Sequence, residues 1–389
     1  MTGSGLVPAD ELFAHAAEQI TRAAGLLWCG ETVRLGIQVR SVTGYVQQIR
    51  VGERDLYAKV SYLGVSLVSV LRGTCGDWRT VRAAQAAYIG SPDALLRREA
   101  AQLGLLHQHS GLQTAVAEGF ADGVLFTHPV PGPTLADLVA KEPSLTTDLL
   151  TTTMREVDTA LDRPRLAWQL SRLAIRERGI DAVFTRKFNG LSGRVYLDLA
   201  GEMAALLAAV VTRLRRLHFA EPTPGLPAVT AYGDLKPEHV CFPGGPEERP
   251  VFLDPGLSRS RAATDEAKLI SRMVLGLIAF PSDADGVKAT VEGIDAFTEA
   301  RTAGWKKTAQ AAWLRQLLVL WLMDTVNILT TYLTAPAGLP LPDQGLRVAA
   351  RAEAVGTFLD RVSAALEAGR EPRAIWRLAL DTVVEEAAR

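Results

Sequence analysis

Apolar positions along the chain change period part-way. From residue 8 to 27, Ala and Leu recur at helical spacing and predict a helix. The next run, "VRLGIQVRSVTGYVQQIRVGERDLYAKVSY" (33–62), alternates apolar and polar residues. It is interrupted at Thr43-Gly44 and Gly52-Glu53, which predicts three antiparallel strands joined by tight turns. Leu63 to Pro92 is mixed. "ALLRREAAQLGLLHQH" returns to helical spacing, with Ser91 or Asp93 as its expected N-cap. "TAVAEGFADGVLFTHPV" reads as two further strands about the turn Ala121-Asp122-Gly123.

Beyond the connector "PVPGPT" (Pro129 to Thr134), helical spacing dominates. Val195 to His218 keeps an apolar stripe for six turns and predicts one long helix. Later helices are expected at 265–280, 286–303, 308–333, 343–368 and 373–387. Short β segments are expected near Val240 and at "PVFLD". The order is α+β in two lobes: residues 1–128 with the antiparallel sheet, and 129–389 mostly helical. Such an arrangement offers a cleft, where ligand sites concentrate.

Composition narrows the class. Of 389 residues, 48% are hydrophobic and 22% charged, which suits a folded chain of two lobes and excludes a disordered one. A net charge of −1 argues for neither nucleic acid nor a membrane surface as partner. The three cysteines, Cys29, Cys75 and Cys241, form no CxxC and suit reduced thiols in the cytoplasm. The N-terminus lacks a basic region followed by an apolar one, so no signal peptide is expected. The apolar run "LLVLWLM" (Leu317 to Met323) is shorter than a membrane span and reads as a buried helix.

The chemistry sits in "TAYGDLKPEHVCF", Thr230 to Phe242. Phosphoryl transfer needs a group to orient the attacking hydroxyl, oxygen ligands for Mg²⁺ and a cation on the phosphates. Asp234 lies in a loop after the long helix, and His239 follows. Asp254 ends the apolar run in "FLDPG", and Lys59 lies in "LYAKV". Glu99, in the next helix, is placed to pair with Lys59. Trp305, Trp313, Trp321 and Trp376 fall in the helical lobe, as core or as a stacking wall. Arg172, Arg176, Arg178, Arg186, Lys187 and Arg194 make a basic stretch before the long helix, as a solvated face or a patch for an anionic acceptor or an acidic peptide.

These motifs resemble the aminoglycoside phosphotransferase and choline kinase superfamily, over roughly residues 35 to 280. "YGDLKPEH" is similar to that family's HGDxxxxN loop, "FLDPG" to its metal motif, and "ATDEAKLISRMV" to the acidic residue and helix that follow. The resemblance implies a protein-kinase-like fold and a kinase using ATP or GTP with Mg²⁺ on a hydroxyl acceptor. It implies Asp234 as the base, Lys59 held by Glu99 on the α- and β-phosphates, and Asp254 with His239 at the metal. The turn at Thr43 and Gly44 would cover the phosphates, and the backbone of Thr127, His128 and Val130 would meet the base. Asp265 would brace the loop.

Three departures bear on the acceptor. Tyr232 replaces the loop's opening histidine, and His239, a softer ligand, replaces asparagine. Lys236 makes the loop "DLKPE", the protein Ser/Thr kinase form, where a cation stabilises developing charge. No "APE" follows, and Asp265 comes only eleven residues after Asp254 (265 minus 254). The expected acceptor is a small molecule. The alternatives are a precursor peptide in lanthipeptide-type maturation, or a pseudokinase that binds nucleotide without chemistry.

Overall fold

The fold is taken from a computed structural model, which describes residues 7–219, 226–280 and 283–389. The first six residues, on which part of the signal-peptide expectation rests, lie outside the described residues. The chain forms two compact units. One is Met1–Val130 with Ala335–Pro342, and the other is Pro131–Thr334 with Asp343–Arg389. The division therefore falls two residues beyond the expected one. The segment Ala335–Pro342, expected in the helical lobe, joins the first unit. There Leu339 is buried, and Gly338 packs so closely that an added Cβ would lie 3.0 Å from that of Ala9.

The first unit contains α1 (Ala9–Leu27), β1 (Val33–Val39), β2 (Tyr45–Val51), β3 (Arg54–Val60), α2 (Leu67–Leu71), α3 (Trp78–Gly90), α4 (Leu95–His109), β4 (Ala117–Ala121) and β5 (Val124–Thr127). The mixed segment 63–92 thus carries two helices. The five strands form one antiparallel sheet in the order β1-β2-β3-β5-β4. Strand alternation gives the sheet two faces. Ala58 pairs with Phe126, whose ring meets Trp28 edge-on at 5.1 Å, just past α1. Lys59 pairs with Leu125 on the other face, where Leu125 clusters with Leu96 and Leu103 of α4. The expected cap of α4 is not used. Ser91 Oγ accepts the Asp93 amide, and the Tyr88 hydroxyl accepts the amide of Leu95.

The second unit contains α5 (Leu135–Lys141), α6 (Thr146–Leu161), α7 (Pro164–Ser171), α8 (Ile180–Lys187), α9 (Gly190–Asp198), α10 (Ala204–Phe219), β6 (Val229–Ala231), β7 (Val240–Cys241), β8 (Val251–Phe252) and β9 (Ser258–Ser260). The helices α11 (Thr264–Ala279), α12 (Ala284–Arg301), α13 (Lys307–Leu333), α14 (Asp343–Ala350), α15 (Ala352–Glu367) and α16 (Pro372–Ala388) follow. The six-turn helix expected over 195–218 is broken. Gly201 takes φ +60, a left-handed value that ends a helix, so α9 stops and α10 starts anew. The helix expected over 343–368 divides at Arg351 for want of continuous helical backbone there.

At 27 residues α13 is long and apolar enough to cross a bilayer, unlike the short run expected. Yet 83% of its most apolar window is buried within the protein, so it is a core helix here. Trp313, Trp321 and Trp376 are buried core residues, with Trp321 against Trp376 at 5.8 Å. Trp305 is exposed and stands edge-on to Trp313.

Candidate active site

In the first unit the site residues sit where the sheet's alternation puts them. Leu96, Glu99 and Leu103 are spaced three and four apart, one face of α4. The packing that seats Leu96 and Leu103 on Leu125 therefore also delivers Glu99 to Lys59. Lys59 Nζ donates to Glu99 Oε1 at 3.0 Å, with Glu99 fully buried. Thr43 and Gly44 form the bend between β1 and β2, where the Thr43 amide donates to Ser41 Oγ. Thr127 ends β5 and is buried. The amide of His128 donates to Val116 O, and its ring is 2.9 Å from Glu118. Val130 is the last residue of the stretch.

In the second unit two short ribbons hold the loop at both ends. β6 pairs with β9 and β7 with β8, so residues 232–239 and 253–257 are both suspended from strands. Cross-links between the loops extend the ribbons: the Gly256 amide donates to Tyr232 O, and the Leu253 amide to His239 O. Tyr232 is buried, and its hydroxyl donates to Leu253 O at 2.8 Å. Asp265, at the start of α11, accepts the amides of Tyr232 and Gly233 at 2.7 and 2.8 Å. Gly233 takes φ +82, and a Cβ there would lie 2.2 Å from Gly256 O. Only glycine fits that crossing.

Asp234 is buried, yet both its oxygens meet cations. Lys236 Nζ donates to Oδ2 at 2.9 Å, and Lys268 Nζ stands 2.8 Å from Oδ1. Burial by itself would raise this carboxyl. Lys236, Lys268, His239 and Arg178 outweigh it and hold Asp234 well below the usual carboxylate range. Burial also pushes the Lys236 ammonium down, against the opposing pull of Asp234. Two neighbours of the loop go the other way. Burial raises Asp265 to about 6, although the amides of Gly233 and Tyr232 oppose it. Burial likewise raises Glu266 to about 7, with Arg301 opposing.

Asp254 follows β8 with φ +54, a left-handed value that is uncommon outside glycine and recurs at functional sites. Its Oδ2 lies 3.8 Å from His239 Nε2. The two residues thus present one carboxylate and one imidazole on the same side of the loop. Asp254 offers the oxygen donor that a Mg²⁺ ion prefers, and His239 offers a softer nitrogen donor beside it. Among the described residues, no group of three or more His, Cys, Asp or Glu side chains is disposed to hold a metal by itself.

Two residues that sequence reasoning did not place at this centre belong to it. Lys268 is three residues after Asp265 in "TDEAKL", so both lie on one face of α11; that spacing was the available signal. Arg178, from the basic stretch, donates to Pro255 O at 3.1 Å and to Asp254 O at 3.5 Å. The basic residues do not form a single patch. Lys187 turns inward to Asn327 O and Thr331 Oγ1, and its ammonium lies over the Tyr196 ring. Arg172 lies over the Trp168 ring, while Arg176, Arg186 and Arg194 are exposed.

No family model matches the sequence, and no curated protein matches it. Solved structures do show likeness of fold. The chain is similar to the amicoumacin kinase hAmiN in complex with AMP-PNP, Ca²⁺ and Ami, at 14% identity and TM-score 0.49, covering 90% of this chain and 96% of that one. It is similar to an aminoglycoside-3'-phosphotransferase of type VIII, at 17% identity and TM-score 0.42, covering 79% and 99%. Plasmodium vivax ethanolamine kinase gives 11% identity and TM-score 0.46, covering 82% and 81%. The geometry around Asp234 stands on its own contacts.

Proposed function

We propose that this protein is a phosphotransferase that moves the terminal phosphoryl group of ATP or GTP onto a hydroxyl. The observation that carries the reading is Asp234: a buried carboxylate kept ionised by two lysines, on a loop whose backbone is clamped by Asp265. A carboxylate so strongly held in its charged form is a weak base toward a free alcohol. It suits a reaction in which the hydroxyl must be oriented and its proton accepted late, as the oxygen bonds to phosphorus.

In the balanced step, the acceptor oxygen bonds to the γ-phosphorus while the bond to the bridging oxygen breaks. Nucleoside diphosphate leaves, and the hydroxyl proton passes to Asp234. Lys236 stands beside that carboxylate, where a cation stabilises charge developing on the transferring group. Lys59, steadied by Glu99, is suited to the α- and β-phosphates. The turn at Thr43-Gly44 would cover them, and the backbone of Thr127, His128 and Val130 would meet the base. Asp254 with His239 would hold Mg²⁺, which when bound neutralises charge on the phosphate oxygens.

A small alcohol is the first acceptor class. A peptide serine or threonine is the second, motivated by the "DLKPE" form, whose Lys236 donates to Asp234 and so stands beside the carboxylate that would orient the hydroxyl. Three free thiols suit a cytoplasmic placement, which is part of the same proposal.

The test is purified protein with ATP or GTP, Mg²⁺, a panel of alcohols and a Ser/Thr-rich precursor peptide, read by a phosphate mass shift. Asp234→Asn is expected to lose transfer by about 100-fold or more while nucleotide binding changes little. Full transfer by that variant would overturn the assignment. Nucleotide binding without turnover across the panel would leave a binding pseudokinase, and no binding at all would sink both.

A further inference from the structure

We propose that Lys268 is a positioning residue for this reaction: it pins Oδ1 of Asp234 so that Oδ2 is the oxygen offered to the acceptor hydroxyl. This rests on the reading of Asp234 given above. The two lysines on the carboxylate are not equivalent. Lys268 is only 5% exposed, and its ammonium has three acceptors: Asp234 Oδ1 at 2.8 Å, Arg178 O at 3.0 Å and Gly233 O at 3.4 Å. An ammonium carries three N–H groups, so this set saturates it.

The two residues that supply the carbonyl acceptors are themselves held: the Gly233 amide donates to Asp265, and the Arg178 guanidinium donates to the carbonyls of Asp254 and Pro255. Lys268 therefore has one defined place. Lys236 is the more exposed of the two, at 17%, and rides on the same loop two residues away. Its flexible stem can yield Oδ2 when a hydroxyl arrives. The pinned oxygen cannot follow, because moving it would leave a buried ammonium short of an acceptor.

The helix α11 thus grips the loop twice from one face. Asp265 takes the backbone of Tyr232 and Gly233, and one turn on Lys268 takes the side chain of Asp234. Restricting a carboxylate to one rotamer about Cβ–Cγ is the kind of orientation whose loss costs about 100-fold in rate without weakening binding.

The test compares wild type with Lys268→Met and Lys268→Arg. The Met variant is expected to lose about 100-fold in kcat while nucleotide affinity stays within about twofold, and the Arg variant to recover part of the loss. A second readout does not need turnover. In protein labelled with ¹³C at aspartate carboxyls, with the Asp234 resonance assigned by Asp234→Asn, that carboxyl is expected to titrate higher in Lys268→Met than in wild type. Four side chains that bear on its charge face it: the ammonium of Lys236 and the imidazole of His239 from its own loop, the ammonium of Lys268 from α11, and the guanidinium of Arg178 from the segment before α8.

Wild-type kcat in Lys268→Met overturns the proposal, as does a fall in nucleotide affinity that matches the fall in kcat. So does an Asp234 resonance that titrates alike in both proteins. If wild type transfers phosphate to nothing, the functional reading fails, and the titration alone decides whether Lys268 holds Asp234.

Discussion

Asp265 Oδ1 accepts the amide of Gly233 at 2.8 Å, and its other oxygen accepts the amide of Tyr232. One carboxylate therefore satisfies two consecutive backbone donors at the base of the loop, deep inside the second unit. Asp265→Asn keeps the shape but removes the charge and half the acceptor capacity. Hydrogen bonds to a charged group contribute about 1.5–3 kcal/mol each. A loss of roughly 2–3 kcal/mol in denaturant unfolding is expected. An unchanged midpoint would mean that the loop is held by its ribbons alone.

Gly233 is the next point of failure. Alanine there meets both a left-handed φ and a carbonyl oxygen at 2.2 Å. Backbone conflict of this kind exceeds the ordinary cost of a surface substitution, and a loss of about 3 kcal/mol or more is expected. Gly201→Ala provides the control, since its φ is also positive but nothing lies within 4 Å of its added Cβ. It should cost only about 1 kcal/mol. Equal losses in the two variants would show that φ, not the crossing at Gly256, is what demands glycine.

The Lys59–Glu99 pair is open to a double-mutant cycle. Removing Lys59 leaves a fully buried carboxylate without its 3.0 Å ammonium. Lys59→Met and Glu99→Gln should each destabilise the first unit, and the double variant less than their sum. A coupling of roughly 1–3 kcal/mol is expected for a contacting pair of this burial. If the functional reading holds, Lys59→Met also weakens nucleotide binding. Additive losses would make the pair incidental.

The pH dependence has a definite sign at Glu266. Its carboxyl is raised by burial from 4.5 to about 7 in the folded protein. Between those values the folded state holds a proton that the unfolded chain has released. This contribution to stability is therefore complete below pH 4.5 and lost as pH rises through about 7. Glu266→Gln mimics the protonated form at every pH. The wild-type-minus-variant difference in unfolding free energy should fall by roughly 2–4 kcal/mol between pH 4.5 and pH 8. A flat difference would place Glu266 as an ordinary ion-pair partner of Arg301.

Local pattern carried a large part of this molecule. Period-two alternation over 33–62 with glycine turns was enough for β1, β2 and β3, because a half-buried sheet writes its two faces into the chain. The spacing of Leu96, Glu99 and Leu103 likewise encodes that the residues packing α4 and the residue meeting Lys59 share one face. The same logic put Asp234 in a loop and Asp254 near a strand end, two residues beyond β8.

What local pattern could not decide was set by contacts between residues far apart in sequence. The helix expected over 195–218 looked continuous because its stripe is periodic on both sides of Gly201, and periodicity does not register one residue's φ. The cap of α4 passed to a tyrosine hydroxyl seven residues upstream, which no capping rule anticipates. The basic stretch 172–194 read as one surface, but folding sent Arg178 and Lys187 inward to backbone carbonyls.

The sequence by itself determined the order of elements and the identity of the acidic and basic groups, since these follow from side-chain periodicity and residue type. Only the tertiary structure decided that Asp234 lies between two lysines rather than one. Burial makes an ionised carboxylate costly unless every lone pair finds a partner, and the partner for Oδ1 comes from a helix that begins thirty residues later (264 minus 234).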